Sequence, residues 1–72
     1  MREEISFNQT PAPVRRTALG LLPAGAQIND VDKETAGGAT IFTVEFKLSE
    51  TRKRKILMQP DGNVLEEQDL EK

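Results

Sequence analysis

Hydrophobic and polar side chains alternate most regularly between Thr40 and Leu48. A period of two is typical of a β-strand with one buried face, and the aromatic and β-branched content of this stretch favours the same structure. We therefore predict a strand whose buried side is formed by Phe42, Val44, Phe46 and Leu48. The opposite side is expected to carry Ile41, Thr43, Glu45 and Lys47.

A second strand is predicted from Arg52 to Gln59, antiparallel to the first, with Ile56 and Met58 on its buried side. In the register that places Leu48 opposite Arg52, the facing pairs are Val44 with Ile56, Phe42 with Met58, and Glu45 with Lys55. The same register sets Lys47 against Lys53, and facing like charges are unfavourable. A register two residues away therefore stays open at this point.

One helix is predicted after Thr10 and Pro11. The threonine hydroxyl can accept a hydrogen bond from a free backbone N–H, and proline is well suited to the first helical position. Pro23 and Gly25 are expected to end the helix. Apolar residues at helical spacing place one buried stripe on it, formed by Val14, Ala18, Leu21 and Leu22.

Two further strands are predicted before the regular hairpin. The segment Glu3–Phe7 alternates, with Ile5 and Phe7 on one side. The segment Gln27–Glu34 is also expected to be a strand, although the uneven spacing of its apolar residues indicates a bulge. Gly37 and Gly38 follow it and suit a tight hairpin turn, because both accept positive φ.

The C-terminal part of the chain begins with a predicted turn over Gln59–Asn63, in which proline presets one dihedral and glycine accepts the left-handed one. A short last strand is predicted over Val64–Glu66. Residues 67–72 form an acidic tail with little to bury, and we expect it to fray.

The expected fold class is α+β. Residues 1–72 form one domain, in which one helix packs on one face of an antiparallel sheet of about four strands, in the order β-α-β-β-β with a short last strand. A helix of about 12 residues is only roughly 18 Å long, so it covers the strands in part. Arg54 can therefore share the buried face, with its stem on Phe46 and its guanidinium in water.

The amino-acid composition excludes several kinds of functional site. The 72 residues include no Cys, His or Tyr, and the formal net charge is −2. Disulfides, thiolate or imidazole metal sites and histidine-based catalysis are therefore not expected, and neither is a cofactor. The acidic balance disfavours binding to nucleic acid, and no apolar run has the length of a membrane span.

Three groups of charged or polar residues could have a specific function: phosphate binding, calcium binding or catalysis. The run Arg52–Lys55 could contact phosphate, but its cations alternate between strand faces, and a solvated edge or a contact with the acidic tail is the better interpretation. Asp30, Asp32 and Glu34 lack the pattern of a calcium loop and fit the wet face of a strand. Nothing in the sequence positions Ser6 or Ser49 beside a base, so we predict no catalytic or metal-binding residues.

The order of these signals resembles the PepSY-like family, which is also similar to the repeats of β-lactamase-inhibitor-like proteins. The resemblance covers roughly Ile5 to Glu67 and is carried by Pro11–Val14, Pro23–Ile28, Ala36–Gly38 before Ile41–Phe46, and Pro60–Leu65. The chain departs from the family at Phe42, where Tyr is common, and at Ser49–Thr51, where a glycine-containing turn is usual. The resemblance implies an exported or envelope-associated protein without catalytic residues that regulates or inhibits peptidases or other partners.

Two functions remain in view. The first is a non-catalytic protein-binding module of the cell envelope, located in the periplasm, envelope or secreted fraction as the resemblance implies. The second is a structural or accessory domain that self-associates, for instance as a homodimer, or packs with neighbouring domains. The predicted contact surface consists of Ile41, Thr43, Glu45, Lys47, Arg52, Lys53, Lys55 and Leu57. For the second function, a sheet edge is the alternative contact.

Overall fold

The computed structural model describes residues 1–71, which form an α+β fold with one α-helix packed on a five-stranded antiparallel sheet. Neighbouring strands in the sheet are also consecutive in the chain. The elements are β1 (Arg2–Glu4), a 3-10 turn (Phe7–Gln9), α1 (Ala12–Leu21), β2 (Gln27–Ala36), β3 (Ala39–Lys47), β4 (Arg52–Met58) and β5 (Val64–Glu71). The predicted fold class is confirmed. The sheet has five strands instead of about four, because each of the five segments predicted as strands contributes one.

The hydrophobic core lies between α1 and the central strands. It consists of Val14 and Ala18 from α1, Val31 from β2, Phe42, Val44 and Phe46 from β3, and Ile56 and Met58 from β4. This confirms the predicted inward faces of β3 and β4. Leu22 packs against the core as expected, whereas Leu21 is the last residue of α1 and remains 40% exposed.

The hairpin of β3 and β4 has the predicted register. Val44 faces Ile56, Phe42 faces Met58, Glu45 faces Lys55, and Lys47 faces Lys53. The backbone N–H groups of Leu48 and Ser49 both donate to the carbonyl oxygen of Arg52, at 2.9 and 3.2 Å, and close the loop. Packing of the apolar pairs therefore outweighs the repulsion between two exposed lysines.

The β2–β3 connection also follows the sequence prediction. The register shifts between Ile28 and Asp30, which is the bulge expected from the uneven apolar spacing. Gly37 and Gly38 have φ of 57° and 80°, as a two-residue hairpin turn with two positive φ angles requires. The strand continues to Ala36, two residues beyond the predicted end at Glu34.

The N-terminal prediction needs correction. The first strand is Arg2–Glu4, and Phe7 begins a 3-10 turn instead of ending a strand. Ile5 still donates its N–H to Val31 at 3.0 Å, and Ile5 and Phe7 pack against the core as predicted. Thr10 does not cap α1, since its buried hydroxyl donates to the carbonyl of Phe7 at 2.7 Å and the N-cap is Pro11.

The C-terminal prediction was also wrong about where the last strand ends. β5 runs to Glu71 and pairs with β4 along residues 66–71, so most of the predicted fraying tail is part of the sheet. Backbone pairing with β4 holds this segment, and Asp69 and Glu71 add ion pairs with Arg54 and Arg52, which lie opposite them. Lys72, the last residue of the predicted tail, lies outside the described residues.

Candidate interaction face

The sheet has one face that α1 does not cover, which we call the open face. Because side chains alternate along a strand, it carries the residues of β3 and β4 that lie between the core positions. These are Ile41, Thr43, Glu45 and Lys47 on β3, and Lys53, Lys55 and Leu57 on β4. Seven of the eight residues predicted as a contact surface therefore share this face.

Arg52 is the exception among the eight. It lies two positions from Arg54 on β4, so alternation puts it on the side of the sheet that faces α1. There it faces Glu71, and its Nε lies 3.6 Å from a carboxylate oxygen of that residue. Arg52 therefore belongs to a different surface from Lys53 and Lys55.

The apolar part of the open face lies at its centre. Ile41, Thr43 and Leu57 are half-buried, and Thr43 and Leu57 face each other across β3 and β4. Within residues 1–71 no second layer covers this face, so their partial burial comes from neighbours in the same sheet. Leu70 on β5 is a further apolar residue of this face, 42% exposed and opposite Lys53, and the pair of Lys55 and Gln68 separates it from Leu57.

Charges on the open face are partly separated by sign, with two carboxylates outside the acidic side: Glu45 lies opposite Lys55, and Glu66 on β5 lies opposite Leu57. The side formed by β1 and β2 is mainly acidic, and its residues are Glu4, Asp30, Asp32 and Glu34, with Arg2 among them. The side formed by the ends of β3 and β4 is basic, and its residues are Lys47, Lys53 and Lys55. Such a pattern can orient a partner as well as attract it.

Two polar contacts organise the acidic side. Arg2 donates to Asp32 with 2.7 Å between Nη2 and Oδ2, which ties β1 to β2. Asn29, the residue at the bulge, donates to Glu45 at 2.7 Å. Glu45 therefore has an amide partner, and Lys55 opposite it forms no ion pair within the described chain. The sequence analysis did not identify either Asn29 or Arg2.

On the other face of the sheet, Arg54 and Asp69 form the closest ion pair of the C-terminal region. Arg54 donates through Nε to Oδ1 of Asp69 at 2.6 Å. This hydrogen bond lowers the pKa of Asp69 and raises the pKa of Arg54. The predicted contact between the basic run and the acidic tail is thus confirmed for Arg52 and Arg54. The sequence carries a signal for this contact. Arg52 and Arg54 are two residues apart, as are Asp69 and Glu71, so both ion pairs can form between two antiparallel strands.

The other groups considered from the sequence are dispersed. Asp30, Asp32 and Glu34 share the open face of β2, and residues 1–71 contain no group of three side chains arranged to hold a metal ion. The Ser49 hydroxyl accepts a hydrogen bond from the Thr51 backbone at 3.3 Å. Two surface depressions, of about 180 and 260 Å³, lie near the β3–β4 loop.

Comparisons with protein families, with curated proteins and with solved structures found no match to this chain. No helix within residues 1–71 is long and apolar enough to cross a membrane.

Proposed function

We propose that the protein is a non-catalytic protein-binding module of the cell envelope, and that it contacts its partner through the open face. The observation that carries this proposal is the half-buried centre of Ile41, Thr43 and Leu57 on a face that no described layer covers. Covering apolar groups of this kind is the main source of affinity in protein interfaces.

The charges around this centre support a protein as the partner. Lys47, Lys53 and Lys55 lie toward one end of the open face, most carboxylates lie on β1 and β2, and Glu66 of β5 faces Leu57. A surface of mixed sign matches a partner surface of mixed sign, whereas a polyanion would be repelled by the acidic side. The basic residues alone therefore do not favour nucleic acid.

The cellular setting in this proposal comes from the resemblance to PepSY-like proteins. Exported or envelope-associated members of that family are thought to regulate or inhibit peptidases or other partners. On this basis the module acts outside the cytoplasm, and the bound protein is a peptidase or another envelope protein whose activity it changes.

A second candidate function is that of a structural or accessory domain that self-associates. The observation that favours it is the separation of charge on the open face. Two copies related by a two-fold axis can place the acidic side of one opposite the basic side of the other. In that arrangement the apolar centre is covered by a second copy.

Sedimentation velocity over a wide concentration range, at low and at high salt, separates the two functions. The binding module is expected to remain a monomer, because its open face binds a different protein and not a second copy. A dimer whose formation is abolished by Leu57→Lys would instead favour the self-associating domain, since this change places a charge at the centre of the open face.

Photocrosslinking in the source cells then tests the binding surface directly. A photoreactive residue at Leu57 should crosslink to one defined envelope protein. The same residue at Arg16, which is exposed on α1, serves as the matched control. Equal crosslinking from both positions, or none from Leu57, would count against the open face as the contact surface.

A further inference from the structure

The outer edge of β5 is a second surface suited to binding, and it adjoins the open face, because Glu66 lies opposite Leu57. β5 is the last strand of the sheet, and nothing within residues 1–71 pairs with its outer side. It is eight residues long, whereas β1 at the opposite edge has three. A long edge strand presents unpaired N–H and C=O groups, and an added strand can bind to them.

The side chains of β5 limit what can bind there. Four carboxylates lie along it, at Glu66, Glu67, Asp69 and Glu71. Asp69 and Glu71 are paired with arginines of β4, whereas Glu66 and Glu67 have no ion pair within the described chain. A second copy docked β5 against β5 would bring carboxylates close to one another, which is unfavourable. The edge therefore disfavours its own copy.

The inner side of β5 shows which kind of strand this acidic strand binds. There it pairs with the most basic strand of the protein, and the ion pairs of Arg54 with Asp69 and of Arg52 with Glu71 repeat every second residue. A strand has two hydrogen-bonding sides, and side chains at both faces can reach a neighbour on either side. A basic strand on the outer side would find Glu66 and Glu67 without an ion pair in the described chain, although Glu66 accepts a hydrogen bond from the side-chain amide of Gln68.

We propose that the outer edge of β5 binds an extended, lysine- and arginine-rich segment of a partner protein, which joins the sheet as a sixth strand. Backbone hydrogen bonds supply the affinity, and the cations of the segment pair with Glu66 and Glu67. This inference uses the backbone edge of β5 and does not require the apolar centre of the open face.

A synthetic peptide with the sequence of residues 51–58 is the probe, because it copies the strand that β5 already binds. It is titrated into the isotopically labelled full chain and followed by NMR. We expect saturable shifts and slower amide exchange along β5. Shifts along β3 would mean that the peptide replaces β4, and shifts confined to the open face would mean docking there. Either result would overturn the proposal while leaving the function proposed for the open face intact.

Two versions of this peptide, N-methylated at opposite sets of alternate amides, test strand addition against simple charge attraction. Only alternate amides of an added strand point toward β5, so one version should bind and the other should not. Equal binding of both versions, or of neither, would overturn the proposal.

The double variant Glu66→Gln, Glu67→Gln tests the role of the carboxylates. It should weaken peptide binding about three- to tenfold, as expected for the loss of two exposed ion pairs. The matched control is Glu3→Gln, Glu4→Gln, which makes the same charge change on exposed residues of β1. If both double variants weaken binding equally, net charge explains the affinity and the proposal fails.

Discussion

The hydroxyl of Thr17 on α1 donates a hydrogen bond of 3.0 Å to the carbonyl oxygen of Gly62, 45 residues later in the chain. This contact joins the helix to the turn between β4 and β5. Gly62 is buried, and a Cβ added there would lie 2.7 Å from the carbonyl oxygen of Pro13. The turn therefore packs directly on the helix backbone, and only glycine fits.

Replacing Gly62 by alanine is expected to destabilise the protein by about 2–4 kcal/mol. The change combines the cost of a positive φ, which is 89° here, with a clash against the helix backbone. Chemical denaturation measures the effect. The control is Gly25→Ala, where φ is 83° but no atom lies within 4 Å of the added Cβ, so about 1 kcal/mol is expected. Equal losses would show that the close approach to α1 contributes nothing.

The two faces of β4 should differ sharply in their tolerance of truncation. Ile56 is fully buried under α1, and its neighbour Leu57 is half-buried on the open face. Ile56→Ala should cost about 2–5 kcal/mol, whereas Leu57→Ala should cost less than about 1 kcal/mol. Thermal or denaturant unfolding measures both. If Ile56→Ala does not fold, Ile56→Val should still cost about 0.5–1.5 kcal/mol. A large loss at Leu57 would mean that the open face is covered.

The facing lysines of the β3–β4 hairpin offer a stabilising substitution. Lys53→Glu replaces a like-charge pair with Lys47 by an opposite-charge pair and should raise the free energy of unfolding by about 0.2–1 kcal/mol. Lys55→Glu is the matched control, because it places a carboxylate opposite Glu45 and should lower stability by a similar amount. Measurements at low and high salt should show both effects shrinking as salt screens them. The same sign for both variants would contradict the register.

The Arg54–Asp69 pair should make stability depend on pH in acid. The hydrogen bond from Arg54 lowers the pKa of Asp69 in the folded protein below its ordinary value of 3.8. Its stabilising contribution is therefore present above about pH 4 and is lost as the pH falls through the folded pKa. Asp69→Asn should be less stable than the natural chain at neutral pH, and the difference should vanish in strong acid.

Unfolding titrations at several pH values between 7 and 2 measure this difference. In an Arg54→Gln background, Asp69→Asn should have a much smaller pH-dependent effect, because the hydrogen-bond donor that lowers the pKa of Asp69 is gone and only the Coulombic attraction of Arg52 still lowers it. A pH-dependent loss of the same size in that background would show that Arg54 is not the main cause of the lowered pKa of Asp69.

The predictions from sequence succeeded where the information is local. The period of two in β3, the paired glycines of the β2–β3 turn and the apolar stripe around Val14 and Ala18 each depend on residues close together in the chain. The hairpin register followed as well, because matching Val44 with Ile56 also matches Phe42 with Met58. Seven residues of the candidate face were found together because strand alternation sorts them automatically.

The misplaced residue of that face has a simple explanation. Arg52 was grouped with Lys53 because the two are adjacent in the chain. Adjacent residues of a strand point to opposite sides of a sheet, so alternation separates them. Applying the period of two to the basic run as strictly as to the apolar residues would have placed Arg52 correctly.

The two ends of the chain depended on contacts distant in sequence. β5 has few apolar residues beyond Val64, so its own pattern does not predict that the strand continues past Glu66. It is held by backbone pairing and by arginines of β4. At the N-terminus, alternation suggested a strand through Phe7, but Thr10 bonds back to Phe7 and the chain turns there into α1. Local periodicity thus defined the central hairpin and the helix. Only the tertiary structure decided how far β1 and β5 extend, because the hydrogen-bond and charge partners of these two strands lie on other strands.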